Sequence, residues 1–267
     1  MKKLTDNHVH SRFSADSEAA PEEIIAAAKA KGLGGITFTD HCDPDFPKEG
    51  GSFDLDFEAY TKYMSELRLL YRDDIDIRCG IELGLRVDQK ELLEDIAARP
   101  WDFVIGSIHV VDGYDPYYER YWKDKGEREG LRRYFETALE CVMKYDCFDS
   151  FGHLDYIFRY VRGGCLYTWE DYKELIDGIL VTLIKKNKCL EVNTAGLAYG
   201  LGYAHPCPGI LKRYRELGGT LITLGSDAHK PANVGFGFDE TAALLRELGF
   251  DSYMRFFGRL GQSQLLG

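Results

Sequence analysis

A single (β/α) barrel is the fold class that the sequence predicts, and three observations predict it. Strand-like and helix-like segments alternate from one end of the chain to the other. The strand-like runs are short and apolar, as in a parallel sheet covered on both faces. Six of the seven histidines fall in short motifs at the ends of such runs, where a parallel barrel gathers its functional side chains.

The elements follow in order. Run 4–9 leads into His8-Val9-His10, and a helix is expected over 22–31, with Pro21 at its start and Gly32 past its end. Run 35–39 ends at Asp40-His41. Residues 57–71 place Phe57, Tyr60, Met64, Leu67 and Tyr71 at helical spacing. Run 77–83 carries Glu82, and run 103–108 ends at His109. A helix over 131–142 carries Leu131, Tyr134, Phe135, Ala138, Leu139 and Val142. Run 149–152 ends at His153, and a helix over 172–183 carries Tyr172, Leu175, Ile176, Ile179 and Leu183. Runs 190–193 and 221–225 complete the set, the last leading into Ser226-Asp227-Ala228-His229. Seven such units without a linker read as one α/β domain over residues 1–267, a TIM-like barrel one strand short of eight. Two segments do not fit the wall, 42–56 and the aromatic-rich 111–130. Each follows a candidate ligand, so both are expected over the mouth.

Composition narrows the function. Hydrophobic residues make up 45% of the chain and charged residues 29%, which supports a packed, soluble core. The net charge is −11, from 33 basic and 44 acidic residues, so a nucleic-acid binder relying on a basic surface is disfavoured. An anionic substrate then needs a local positive field, which bound cations supply. The seven cysteines form no C-x-x-C pair and signal neither a zinc ribbon nor a disulfide framework. Reduced thiols, no apolar signal core near the N-terminus and no membrane-length apolar stretch make the expectation cytoplasmic, without a membrane partner.

His8-x-His10 puts two imidazoles on one side of an extended segment, since side chains alternate with period two. Alone this is a weak signal. Glu82 and Asp227 at other strand ends strengthen it, because two imidazoles and two carboxylates suit Zn, Mn or Fe.

These motifs together carry a family resemblance. His8-x-His10, Thr39-Asp40-His41, Gly80-Ile81-Glu82, His109, Gly152-His153 and Ser226-Asp227-Ala228-His229 resemble the polymerase-and-histidinol-phosphatase (PHP) superfamily. Phe13-Ser14-Ala15-Asp16, Glu191-Val192-Asn193-Thr194 and Lys230-Pro231 extend the resemblance to the PHP-type histidinol-phosphate phosphatases. The resemblance implies a distorted seven-stranded barrel with three divalent ions. It implies a first ion on His8, His10, Glu82 and Asp227, a second on Glu82, His109 and His153, and a third on Asp16, His41 and His229. Many superfamily members have histidine where this chain has Asp16. A carboxylate is a harder, more anionic ligand, which bears on metal preference and occupancy there.

Three divalent cations against Glu82, Asp16 and Asp227 leave a net positive cluster, complementary to a phosphate monoester dianion. The expected chemistry is attack on phosphorus by a water bridging two ions, its pKa lowered toward ~7, while the third neutralises developing charge. The resemblance implies L-histidinol phosphate as substrate, giving L-histidinol in histidine biosynthesis. Another small phosphate, such as a nucleotide derivative, is the nearest alternative.

Four further residues are candidate catalytic groups. Arg159 and Arg162 follow His153 on the mouth side and suit phosphate, or are solvated loop arginines. His205 either faces the substrate, as a proton donor to the leaving group, or is a surface histidine before proline. Asp40 orients His41 or shuttles protons. Asn193 either touches the substrate or caps the following turn, and Lys230 is read as a solvated neighbour of the site. A metal amidohydrolase also opens with H-x-H but predicts a bridging lysine, whereas Glu82 holds that position here. A non-catalytic metal-binding module predicts eroded ligands, and all nine ligand positions carry competent residues.

Overall fold

A computed structural model describes residues 3–161 and 166–267. Eight parallel strands build the wall: β1 (Thr5–Val9), β2 (Gly35–Phe38), β3 (His41–Cys42), β4 (Asp76–Gly84), β5 (Phe103–Ser107), β6 (Ser150–Phe151), β7 (Cys189–Asn193) and β8 (Ile222–Gly225). Seven run in the order β1-β2-β4-β5-β6-β7-β8, and the short β3 continues the β2 side against β4, pairing His41 with Glu82. The sheet nearly closes. At the mouth Val9 bridges Ala228, the His8 carbonyl accepts from Asp227 N (2.8 Å), and the Ala228 carbonyl accepts from His10 N (2.9 Å). Lower in the seam, Asn7 Nδ2 donates to the Leu224 carbonyl at 2.9 Å. The expected seven-stranded barrel is therefore present, with all seven expected strands within a few residues of their anticipated bounds.

A helix follows each of the seven barrel strands: Pro21–Ala30, Phe57–Leu70, Lys90–Ala97, Gly126–Lys144, Lys173–Lys185, Pro208–Glu216 and Phe238–Glu247. Helix Phe57–Leu70 shows how the sequence builds one. Asp56 caps it by accepting from Ala59 N at 3.0 Å, and Tyr60, Met64 and Leu67 form the buried stripe. Burying each such side chain stabilises the fold by about 1.5–3 kcal/mol. Helices Lys90–Ala97, Pro208–Glu216 and Phe238–Glu247 were not anticipated. They span only two to three turns, too few for a strong 3.6-residue period.

A C-terminal hairpin was also not anticipated. Strands β9 (Ser252–Phe257) and β10 (Leu260–Leu265) pair antiparallel around Gly258-Arg259, both at positive φ, as tight hairpin turns require. The hairpin lies against the barrel end opposite the mouth. Tyr253 Oη accepts from Thr5 N (2.8 Å), Arg259 Nε donates to Asp149 (2.5 Å), and Gly258 N donates to Asp102 (3.1 Å). Its strands lack the β-branched alternation that reveals a hairpin in sequence.

Segments 42–56 and 111–130 do sit over the mouth. Tyr118 Oη donates to the Glu49 carbonyl (3.0 Å) and Arg120 pairs with the Glu49 carboxylate (2.7 Å), joining the two loops. The second segment is not all loop: it contains helix Glu119–Lys123 and the first turn of Gly126–Lys144. The six described cysteines are free thiols. No described helix is long and apolar enough to cross a membrane.

Candidate metal centre

Six histidines and three carboxylates from seven strand ends and loops converge at the mouth. His8 and His10 lie at the floor, fully buried. Above them is a cavity of about 700 Å³ whose wall includes Asp16, His41, Glu82, His109, His153, Asp227 and His229. All nine sequence-predicted ligands are thus brought together.

Their spacing is that of ligands. A tetrahedral ion with bonds of about 2.0–2.1 Å separates its ligand atoms by roughly 3.4 Å. His8 Nε2 lies 3.0 Å from His10 Nε2, 3.3 Å from Glu82 Oε2 and 3.6 Å from Asp227 Oδ1. His10 Nε2 lies 3.4 Å from Glu82 Oε2 and 3.2 Å from Asp227 Oδ1. The other Glu82 oxygen, Oε1, faces His153 Nε2 (2.8 Å) and His109 Nε2 (3.2 Å). Asp16 Oδ2 meets His229 Nε2 at 3.1 Å and His41 Nε2 at 3.6 Å. His10 also stands within ligand distance of His41 and His229, so the groups are contiguous.

The hydrogen bonds select the tautomer that such a centre needs. His229 Nδ1 faces the Asp227 carbonyl at 3.0 Å, and a carbonyl can only accept. His8 Nδ1 faces Glu191 (2.5 Å) and His109 Nδ1 faces Asp43 (2.7 Å). Ser14 Oγ donates to Asp40, so it accepts from His10 Nδ1 (2.9 Å). In all four the proton belongs on Nδ1 when the ring is neutral, leaving the Nε2 lone pair aimed into the cluster, as in carboxylate–histidine–metal arrangements. Glu82 Oε2 and His229 Nε2 are buried without a hydrogen-bond partner. Cations in the neighbouring ligand groups would satisfy each of them, so the donor set fits divalent ions.

Electrostatics agree. Burial opposes ionisation of Glu82, yet His8, His109 and His41 hold it well below the usual carboxylate range. Asp227 is lowered likewise, burial being outweighed by His8, His10 and His229. Burial also opposes charging His109, but Asp43 and Glu82 raise it to about 10. His8 and His41 stand well above their ordinary value for the same kind of reason, while burial and its histidine neighbours push His10 down to about 3. An imidazole that ligates a metal must first lose its proton, so cation binding to these groups would release protons.

Local backbone sets these positions. Asp227 adopts φ +53°, a left-handed conformation uncommon outside glycine, in the turn after β8. Asp6 anchors that turn by accepting from Ser226 N (2.9 Å) and Gly235 N (2.8 Å). Gly84 is required by close approach, since a Cβ there would stand 1.9 Å from Asp43 Oδ1.

The other candidates separate. Arg159 lines the cavity, its guanidinium 5.2, 5.0 and 4.7 Å from the ring centres of Tyr156, Tyr160 and Tyr199, and it donates to Tyr160 Oη at 2.8 Å. Arg162 lies outside the described residues. Asp40 is buried behind the site, accepting from Ser11 N (2.6 Å) and Ser14 Oγ (2.8 Å). It steadies His10 through Ser14, while the His41 ring faces Asp16, Asp43 and Glu82 instead. His205 is neither at the surface nor in the cavity wall. It is buried, with Nδ1 on Asp155 (2.6 Å) and backbone bonds to Asn193 in both directions. Lys230, read as a solvated neighbour, lines the cavity.

Sequence reasoning missed Glu191, Asp43, Asp155 and Ser14, which orient ligands or the loops beside them. A usable signal was present for three of them. Asp43 and Asp155 each stand two residues past a ligand histidine, and Glu191 interrupts the apolar run Leu190-Glu191-Val192.

The sequence model of the PHP domain family matches residues 6–195. A probable histidinol-phosphatase of Clostridium acetobutylicum is 36% identical over 239 residues, covering 87% of this chain and 89% of that protein. The histidinol-phosphatase of Lactococcus lactis subsp. lactis is 34% identical over 265 residues, covering 97% and 96%. The crystal structure of the histidinol phosphate phosphatase from Lactococcus lactis, complexed with zinc, L-histidinol and phosphate, superposes with a TM-score of 0.89 at 32% identity, over 98% of this chain and 99% of that one.

Proposed function

The chain belongs to the PHP domain family, and from that premise we infer that it is a metal-dependent histidinol-phosphatase, hydrolysing L-histidinol phosphate to L-histidinol and phosphate. The carrying observation is Glu82, with one oxygen facing His8 and His10 and the other facing His109 and His153. A carboxylate so placed would offer one oxygen to each of two ions, and no lysine takes that place among the described residues, which supports phosphoesterase over amidohydrolase chemistry.

In this reading the residues work as follows. His8, His10, Glu82 and Asp227 would hold a first divalent ion; Glu82, His109 and His153 a second; Asp16, His41 and His229 a third. When bound, the ions supply Lewis acidity and an acidified water. Zinc is the first candidate, being present in the related complex; manganese and iron suit the same ligands. Arg159, held on its tyrosine rings, presents a guanidinium to the phosphate. The tyrosines and phenylalanines of segments 42–56 and 111–130 close the organic side against water. Asp40 and His205 position neighbours and do not touch the substrate. Residues 1–267 act as one catalytic unit, and the free thiols fit a cytoplasmic setting.

Phosphate release from L-histidinol phosphate tests this. Protein would be assayed as isolated, after chelation, and after re-addition of Zn, Mn or Fe, with nucleotide monophosphates and an aryl phosphate alongside. Metal-dependent turnover favouring histidinol phosphate is expected. Preference for another phosphate would move the substrate while keeping the chemistry, and a fully loaded protein inert on all of them would overturn the reaction class.

A further inference from the structure

We propose that Glu191 couples the first and second ion sites, one buried carboxylate fixing a ligand of each. Its Oε1 lies 2.5 Å from His8 Nδ1, and its Oε2 accepts from the backbone N of His153 at 2.8 Å. Oε2 also accepts from Asn193 Nδ2 at 3.1 Å, and the same Nδ2 lies 3.3 Å from Asp227 Oδ2. Glu191 and Asn193 are two apart on β7, so they share its face. The Asn193 side chain is itself tied, its Oδ1 accepting from Ala195 N at 2.9 Å.

Glu191 is 1% exposed, so no water replaces a lost partner. It answers three donors with two oxygens, and those donors lead to different ions. Through His8 and through Asn193 to Asp227, it bears on the first. Through the His153 backbone, which sets where that ring meets Glu82 at 2.8 Å, it bears on the second. The space is reserved for this arrangement: a Cβ on Gly225 would stand 2.4 Å from His8 Cβ and 3.1 Å from Glu191 Oε1. Moving the carboxylate therefore displaces ligands of both sites together. The third set, Asp16, His41 and His229, has no bond to Glu191. Glu191 is thus a positioning residue, and the assignment rests on the ligand sets proposed above.

The test uses cobalt(II) binding as its readout, with histidinol phosphate turnover measured separately. Metal-free wild type and Glu191→Gln would be titrated with Co²⁺, following the visible absorption and the ions retained after gel filtration. The glutamine keeps the shape but turns an amide donor toward one of three donors. Two bound equivalents should lose affinity together by roughly 10- to 100-fold, the scale of losing an outer partner, while the third keeps its wild-type affinity and spectrum. Loss confined to one equivalent, or no loss, overturns the coupling. Equal weakening of all equivalents with a lowered Tm of the metal-free protein assigns Glu191 to general stability and overturns it too. If Glu191→Gln does not fold, Glu191→Asp keeps the charge, and the same paired loss is expected at smaller size; an unpaired loss overturns the proposal. A wild type that binds no Co²⁺ refutes the ion sites themselves. Binding with the paired loss but no histidinol phosphate turnover refutes only the substrate.

Discussion

Asp16 sets a carboxylate oxygen 3.1 Å from Nε2 of His229, the outermost contact of the cluster. The Asp16 side chain is 44% exposed, unlike the buried Glu82. This ligand set is therefore the most open to water and the easiest to empty. Asp16→Ala should lose about one ion per chain while the other sites stay filled, and Asp16→His should restore it. Elemental analysis after brief chelation decides, and unchanged stoichiometry in Asp16→Ala would remove Asp16 from the ligand set.

Glu82 should be the least replaceable residue. Glu82→Gln leaves one oxygen where two clusters each need one, and it removes a charge that answers several imidazoles. Turnover should fall by more than the ~100-fold typical of losing an outer partner, with a deficit of about two ions. A variant that keeps its metals and most of its turnover would contradict the bridging role.

Arg159 should act on phosphate rather than on metal. A hydrogen bond to a charged group contributes about 1.5–3 kcal/mol, so Arg159→Ala should weaken inhibition by inorganic phosphate by roughly 10- to 100-fold. Its metal content should match wild type. Equal phosphate inhibition in the two proteins would exclude the contact.

Metal uptake should release protons and strengthen with pH. His109 is raised from 6.5 to about 10 in the metal-free protein, so it carries a proton at neutral pH. A coordinating imidazole must be neutral. Affinity should therefore rise up to tenfold per pH unit for each proton displaced, and a pH indicator in weak buffer should report the release. Stability follows the same sign. A histidine raised on folding contributes stability fully present below pH 6.5 and lost as pH climbs through about 10. Urea unfolding of metal-free protein should show that decline, and metal-free His109→Gln should lack its share.

Arg259 should matter for stability alone. It reaches from the hairpin turn to Asp149 and to the carbonyls of Ala97 and Cys147, at the barrel end away from the site. The pair is partly buried, between the exposed and buried limits, so Arg259→Ala should cost about 1–3 kcal/mol in urea unfolding. Specific activity of the folded protein should not change, and a drop would mean that the two ends of the barrel communicate.

The ligands were legible because metal chemistry restricts residue type and a parallel barrel restricts place. Strand-end position marked His8, Glu82, His153 and Asp227 as candidates, and the family resemblance sorted them into ion sites. For Glu191 and Asp43 the sequence offered a position but no partner, because nothing in a linear sequence says which imidazole nitrogen a carboxylate will meet. Asp43 reaches His109 across 66 positions, and Glu191 reaches His8 across 183. His205 misled for the same reason. A histidine before proline resembles a surface turn, and only Asp155, 50 positions away, makes it a buried anchor.

The sequence by itself determined the parallel barrel, its seven strands, four of the helices between them and the metal-ligand character of its mouth. Those depend on local apolar runs and on residue chemistry, which are written in order along the chain. Tertiary structure decided which ligands face each oxygen of Glu82, which tautomer His8, His10, His109 and His229 adopt when neutral and that Arg159 rather than Asp40 faces the cavity. It also decided that a C-terminal hairpin packs against the far end. Those outcomes rest on ångström-scale distances between strands remote in sequence, which closing the sheet alone brings within hydrogen-bond reach.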